Sequence, residues 1–237
     1  MNHKTRNNLS EYISLSTRRA AGQKKEFYLF DSILVFMKDA FPVEIDLGSV
    51  LEKVEKSVPR TLVVTSLDAI YVGEFENLLA GDGHTAVYED GAIYVSNNQV
   101  DEHDVYRDII HEIAHAIEKT HESLIFSDRK IENEFLAKRQ RLYSLLSADG
   151  YEVSLSLFLN LDFSEKMDNF LYKELGYPTL SSYVMGLFTS PYAATDVREY
   201  YARGFEEFVY GDKEYLKKLC PSLYNVLEDL LKGDRNG

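Results

Sequence analysis

The stretch HEIAHAIEKTH occupies residues 111–121 and contains the pattern H-E-x-x-H. On a helix this spacing sets the imidazoles of His111 and His115 one turn apart on a single face, where they form a pair of zinc ligands. Glu112 lies between them, and its carboxylate can take a proton from a metal-bound water and pass it to a leaving amine. The pattern therefore predicts zinc-assisted hydrolysis.

The residues around this stretch favour a helix. Acidic residues at 101, 102 and 104 supply a negatively charged first turn, which complements the helix dipole. Apolar residues then recur at helical spacing, namely Val105, Ile109, Ile113, Ala116 and Ile117. Both histidines are therefore predicted to lie within an amphipathic helix.

Composition limits the class of protein. The chain has 237 residues, of which 45% are hydrophobic, and we expect one domain over residues 1–237. A formal net charge of −13 disfavours a nucleic-acid partner, because phosphate backbones recruit stripes of Lys and Arg. Cys220 is the only cysteine, so an internal disulfide cannot form.

The N-terminal region carries no recognisable export signal. Residues through Lys25 are polar and basic, and the apolar stretch Phe27–Met37 is interrupted by Asp31 and lacks a small-residue cleavage site. No apolar run approaches the ~20 residues that cross a bilayer. We therefore expect a cytoplasmic protein without a membrane partner, although export by a dedicated machine would leave no trace in the sequence.

Hydrophobic periodicity predicts an α+β fold, mostly helical, with a small sheet ahead of the helix that carries His111. Two helices are predicted over residues 9–40, and they form a helical N-terminal support over residues 1–48. A sheet region should follow. Its predicted strands cover residues 61–65 and 69–72, and then a hairpin of 85–88 and 92–95 around the turn at 89–91.

Strand 92–95 is a candidate edge against which an extended peptide could pair, and an inner position fits it equally well. The predicted helices cover residues 49–57, the segment from residue 101, and then residues 129–147, 151–175, 196–209 and 221–232.

A catalytic zinc site needs a third protein ligand, and three residues are contenders. His121 lies six positions after His115, which is metzincin spacing, but that motif needs a Gly where Glu118 stands. Glu134 has the spacing of thermolysin-like zincins. The alternating charges from Lys130 to Arg139 equally fit a solvated helix face with ion pairs.

The third contender is Glu199, in the segment YAATDVREYYARGF of residues 192–205. Together with H-E-x-x-H, this segment resembles the protease domain of anthrax lethal factor and the related Pro-Pro endopeptidases. In that family a Tyr precedes the ligand Glu by seven positions, and the Glu opens a helix of the form E-[FY]-[FY]-A-x-x-F. The matching residues here are Tyr192, Glu199, Tyr200, Tyr201, Ala202 and Phe205.

The resemblance implies a zincin-like fold of the gluzincin type and an endopeptidase that cleaves a protein or peptide substrate. It implies that Zn²⁺ is held by His111, His115 and Glu199. It further implies that Glu112 is the general base and that Tyr192 stabilises the oxyanion. A Glu near the start of a helix is presented by a rigid element, and a phenol one short loop earlier can donate to an oxyanion.

The resemblance covers the zinc helix, the segment of residues 192–205 and the closing region of residues 216–231. About eighty residues separate His115 from Glu199, more than in the family, so residues 120–185 are interpreted as a helical insertion. Arg203 stands where relatives often carry a second acidic residue, and Glu206 or Asp196 are acidic residues nearby that could replace it. An alternative function follows, a weak or inactive zincin-scaffold module, toxin-like, that acts on one partner protein.

Overall fold

The protein has an α+β fold that is mostly helical, with a small sheet near its N-terminal side, as predicted. The structure, a computed structural model, describes residues 26–75 and 85–233. The first of the two predicted N-terminal helices therefore falls outside the described residues.

The chain divides into two compact units. The sheet unit contains the described residues up to Lys56 together with Val63–Ile113. The helical unit contains Ser57–Leu62 and the described residues from Ala114 onward. The expectation of a single domain stays a prediction.

The sheet unit is built on a mixed five-stranded sheet. Its strands are β1 (Glu26–Leu29), β2 (Ile33–Met37), β3 (Ala69–Gly73), β4 (Ala86–Glu89) and β5 (Ala92–Ser96). They lie in the order β1-β2-β3-β5-β4, with β2, β3 and β5 parallel and the two outer strands antiparallel to their neighbours. Alternate side chains of the inner strands are buried, as the period of two in a strand requires.

The helix predicted between Phe27 and Met37 is wrong, because this segment forms the β1–β2 hairpin, so residues 1–48 are not a purely helical support. Phe30 and Asp31 turn the chain with φ of 55° and 56°. The run Ile33–Met37 is apolar throughout and therefore fits the periods of both a helix and a strand. Parallel pairing of β2 with β3 decides for the strand.

The strand predicted over residues 61–65 is also wrong, because helix α2 occupies Arg60–Ser66. Pro59 immediately precedes the helix, a position compatible with its fixed φ. Val63 and Leu67 are buried four residues apart, and the Leu67 amide donates to the Val63 carbonyl at 2.9 Å. Burial of one helical face thus outweighs the preference of β-branched residues for strands.

The predicted hairpin is confirmed by the antiparallel pairing of β4 with β5. Its turn places Asp90 at φ 47° and Gly91 at φ 86°, the left-handed conformations that an Asp-Gly turn adopts. The suggested edge position of residues 92–95 is wrong, because β5 lies between β3 and β4. The edges of the sheet are β1 and β4.

The other regular elements of the described chain are helices, and those predicted near residues 49–57 and 129–147 are confirmed. A helix at Lys213–Leu219 was not predicted. A π-helical segment covers Phe170–Gly176, and a 3-10 turn covers Tyr192–Ala194. The α-helices other than α2 are α1 (Leu47–Ser57), α3 (Glu102–Thr120), α4 (Glu122–Ile125), α5 (Lys130–Ala148), α6 (Leu155–Phe158), α7 (Glu165–Asn169), α8 (Tyr177–Val184), α9 (Val197–Tyr210), α10 (Lys213–Leu219) and α11 (Pro221–Gly233).

None of the helices within the described ranges is both long and apolar enough to cross a membrane.

The helical unit packs closely where α9 meets α11. Gly204 lies in the middle of α9, and a Cβ atom at this position would stand 2.2 Å from Cδ2 of Leu223. Leu223 is fully buried, so its side chain has little room to move away. The contact therefore requires a residue without a side chain at position 204.

We expect Gly204→Ala to lower the free energy of unfolding by about 1–3 kcal/mol, because overpacking outweighs the gain of about 1 kcal/mol that Ala brings to a helix. Denaturant unfolding measures the change. Leu223→Ala is the companion variant, and the double variant should lose less stability than the two single losses added together. Additive losses would contradict the proposed contact.

Candidate metal centre

Helix α3 carries the H-E-x-x-H residues in one continuous element. Asp101 caps its start, since the carboxylate accepts hydrogen bonds from the backbone amides of His103 and Asp104 at 2.8 and 2.9 Å. The predicted apolar stripe is buried along the helix, with 0% exposure at Val105, Ile109, Ile113 and Ile117. The division between the two units falls within this helix, after Ile113.

The structure brings together the side chains of His111, His115 and Glu199. One potential ligand atom from each residue lies within 4.8 Å of the other two, and all three side chains are half-buried. Within this group, Nε2 of His115 lies 3.3 Å from Oε1 of Glu199. Two imidazoles and one carboxylate therefore face a common point.

The chemistry of these donors fits zinc. Ligand bonds of about 2.0–2.2 Å in tetrahedral geometry separate neighbouring ligand atoms by about 3.4 Å. The 3.3 Å between His115 and Glu199 matches that separation, and it is longer than the roughly 2.7–2.9 Å of a charge-assisted hydrogen bond. The ligand atoms of the whole group, His111 included, lie within 4.8 Å of one another.

Glu199 stands in the first turn of α9, whose start is fixed by Asp196. The Asp196 carboxylate accepts hydrogen bonds from the backbone amides of Arg198 and Glu199, both at 2.9 Å. Asp196 is 5% exposed, and burial raises the pKa of its carboxyl group. The N-cap therefore determines where the Glu199 carboxylate is presented.

Tyr192 precedes α9 in the 3-10 turn and is half-buried. Its ring lies 5.1 Å from the guanidinium carbon of Arg203 and 6.1 Å from the ring of Tyr172. Burial raises the pKa of the Tyr192 phenol far above its ordinary value, and the charge of Glu199 raises it further. The phenol is therefore protonated at neutral pH and can donate a hydrogen bond.

Glu112 follows His111 on α3 and is buried, with 7% exposure. Three residues beyond His115, Glu118 is also buried, and its Oε1 lies 3.5 Å from Nε of Arg198. Burial raises the pKa of Glu118, while the Arg198 charge lowers it. The helix continues through Glu118 to Thr120, so the sharp bend that metzincin spacing requires does not form here.

The other two contenders for third ligand lie outside the group of His111, His115 and Glu199 in the part of the chain that the structure describes. His121 follows the end of α3, and at about 100° per residue it points about 240° around the helix axis from His115. Glu134 accepts hydrogen bonds from the Tyr200 hydroxyl at 2.8 Å and from the backbone amides of Ser222 and Leu223 at 2.8 and 3.3 Å. Its carboxylate caps the start of α11.

The acidic residues suggested as replacements near Arg203 make other bonds. Glu206 accepts hydrogen bonds from Nη1 of Arg203 at 3.0 Å and from the Tyr210 hydroxyl at 2.5 Å. Asp196 bonds the backbone of α9, as described above. Arg203 therefore contacts both the Glu206 carboxylate and the ring of Tyr192.

Sequence reasoning missed Arg139, which it assigned to a solvated helix face. Arg139 is 1% exposed and donates to three backbone carbonyls, those of Ala194, Thr195 and Leu157. Its position continues the buried stripe of Ile131 and Phe135 on α5 at intervals of four residues. That interval is the signal in the sequence that could have identified it.

Protein-family models, curated proteins and solved structures were compared with this chain, and none matches it.

We expect Glu134→Ala to lower the free energy of unfolding by about 1–3 kcal/mol, because the backbone amides at the start of α11 and the Tyr200 hydroxyl lose their acceptor. Chemical denaturation provides the measurement. Glu132→Ala, on the same helix and paired at 3.4 Å with Arg129, whose side chain is 66% exposed, is the control and should change stability by less than about 1 kcal/mol. Equal effects of the two substitutions would contradict the capping role.

Proposed function

We propose that this chain is a zinc-dependent endopeptidase in which Zn²⁺ is held by His111, His115 and Glu199. The observation that carries the proposal is the grouping of two imidazoles and one carboxylate within 4.8 Å. Catalytic zinc sites use three protein ligands and leave a fourth position for water or substrate. The resemblance to lethal factor-like gluzincins supports the same assignment and a zincin-like fold.

A bound zinc ion supplies Lewis acidity and lowers the pKa of a coordinated water to about 7. Glu112, next to His111 on the same helix, accepts the proton of the attacking water and then delivers it to the leaving amine. Tyr192, protonated at neutral pH, donates a hydrogen bond to the oxygen that becomes negative during attack. Each of these groups comes from this chain.

The exposure of the ligands is consistent with a substrate-accessible site. The side chains of His115 and Glu199 are 18% and 14% exposed, so their donor groups are neither sealed in the core nor fully solvated. A structural zinc site is closed by a fourth protein ligand. Among the described residues, the group contains three potential ligands and not four, which favours a catalytic over a structural site.

We expect the metal-free protein to bind one zinc ion. Glu199→Gln should raise the zinc dissociation constant by on the order of 10²-fold or more, because each ligand contributes part of a zinc-binding free energy of roughly 10–16 kcal/mol. Competition with a chromophoric chelator measures the constant. Added zinc should also raise the melting temperature of the parent protein. Glu134→Ala is the matched control.

Unchanged zinc affinity in Glu199→Gln, together with a loss in Glu134→Ala, would assign the third ligand to Glu134. A parent protein that binds no zinc would contradict the proposal as a whole.

We expect Glu112→Gln to retain zinc and to lose about 10²–10⁴-fold in peptide cleavage, because the carboxamide cannot accept the proton. A proteome-derived peptide library incubated with the zinc-loaded protein supplies the substrates, and mass spectrometry counts the new termini. The glutamine variant in the same library defines the background.

The alternative, a zincin-scaffold module that captures one partner protein, is favoured by Arg203 in the place of an acidic residue. It predicts that the parent and the Glu112→Gln variant yield the same termini. Zinc binding without any cleavage above that background would therefore support the module and contradict the endopeptidase.

A further inference from the structure

Arg139 of α5 is a buried cation that contacts the segment leading into α9, residues 190–196, which we call the lead-in segment. Its Nη1 donates to the carbonyls of Ala194 and Thr195 at 2.5 and 2.9 Å. Its Nη2 donates to the carbonyl of Leu157 at 3.0 Å. One guanidinium thus ties the lead-in segment to the segment of α6.

The carbonyls that Arg139 holds lie between Tyr192 and Glu199 in the sequence. Ala194 ends the 3-10 turn that begins at Tyr192, and Thr195 immediately precedes the N-cap Asp196. A displacement of these two carbonyls would therefore move the phenol, the carboxylate or both. The distance between the two groups depends on this short stretch of backbone.

The surroundings of Arg139 restrict its position. The guanidinium carbon lies 5.2 Å from the ring of Phe135 and 5.5 Å from the ring of Phe158, so apolar faces border the planar group. Such rings attract a cation and exclude water. Burial lowers the pKa of Arg139 to about 10, and it remains charged at neutral pH.

A second contact holds the lead-in segment from the π-helical turn. The Tyr172 hydroxyl lies 2.9 Å from Oγ1 of Thr195 and donates to the carbonyl of Pro191 at 3.3 Å. A further bond joins the Val197 amide to the carbonyl of Leu161 at 2.9 Å. These partners belong to residues 120–185, as Arg139 does, so this region contacts the lead-in segment at several points.

We propose that Arg139 is a positioning residue that sets the relation between Tyr192 and Glu199 by holding the backbone of the lead-in segment. This inference rests on the proposed function, because Tyr192 and Glu199 matter together only in a hydrolytic site. It assigns a role in the site to a residue from the predicted insertion. Arg139 acts through the backbone and does not touch substrate.

Lys138, the neighbour of Arg139 on α5, provides a matched control. Its Nζ donates to the carbonyls of Leu187 and Leu219 at 2.7 and 2.6 Å, so it also serves two backbone oxygens. Neither carbonyl belongs to the lead-in segment. Lys138→Met and Arg139→Met therefore remove comparable bonds at different places in the helical unit.

We expect Arg139→Met to raise the zinc dissociation constant about 10–100-fold and to lower kcat on the order of 10²-fold, the size that loss of ligand-orienting partners and small displacements produce. Arg139→Lys should recover part of both, because it keeps the charge without the planar fork. Lys138→Met should lower the melting temperature while zinc affinity and kcat stay within about twofold. KM is recorded with kcat, and a change confined to KM would contradict the positioning of Tyr192.

Hydrogen exchange on the metal-free protein gives a readout that does not depend on activity. Arg139→Met should speed exchange at the amides of residues 193–199, and Lys138→Met should leave them unchanged. Parent-like exchange and zinc affinity in Arg139→Met would overturn the proposal. Where the Met variant does not fold, Arg139→Gln takes its place, and parent-like exchange and zinc affinity in that variant would overturn the proposal.

The exchange measurement also separates the two proposals. A parent protein that binds no zinc would refute the endopeptidase, whereas faster exchange of the lead-in segment in Arg139→Met would still show that Arg139 holds it. If the parent binds zinc and Arg139→Met changes neither the amide exchange of the lead-in segment nor the zinc affinity, the positioning role alone would be refuted.

Discussion

The helical unit depends on one constraint, that the polar backbone groups at buried helix ends must find partners. Helix α5 supplies several of these partners from charged side chains. Glu134 accepts hydrogen bonds from the backbone amides at the start of α11, and Lys138 donates to the Leu219 carbonyl at the end of α10. Arg139 donates to carbonyls of the lead-in segment. Each charge has the sign that the helix end requires, negative at an N-terminus and positive at a carbonyl.

This arrangement explains why the charged side chain of Arg139 is buried. An unpaired backbone carbonyl or amide in the interior costs about 1–3 kcal/mol, and one guanidinium can satisfy several carbonyls at once. Arg139 serves three carbonyls, at the cost of desolvating its own charge. The same bonds fix the backbone between Tyr192 and Glu199. The stability of the helical unit and the geometry of the candidate metal centre therefore depend on the same hydrogen bonds.

The parts of the molecule that sequence could predict are those whose cause is local. His111 and His115 share a helix whose cap and apolar stripe lie within twenty residues, and the Asp-Gly turn of the β4–β5 hairpin is equally local. Glu199 could be suggested only through a resemblance, because spacing alone also allowed His121 and Glu134. The strand at Ile33–Met37 was mistaken for a helix because its apolar run fits both periods, and β3, one of its two pairing partners, lies more than thirty residues away.

The approach of Glu199 to His115 lies beside a second contact between the first turn of α9 and the end of α3. Arg198, the preceding residue, reaches Glu118 one turn beyond His115. Arg198 is half exposed, at 52%, so this ion pair adds little stability as a surface pair would. Glu118 is 3% exposed, however, and a buried carboxylate that lost its cation would be left uncompensated. Arg198 and Glu199 are consecutive residues, so the ion pair and the approach of Glu199 to His115 both join the first turn of α9 to the end of α3.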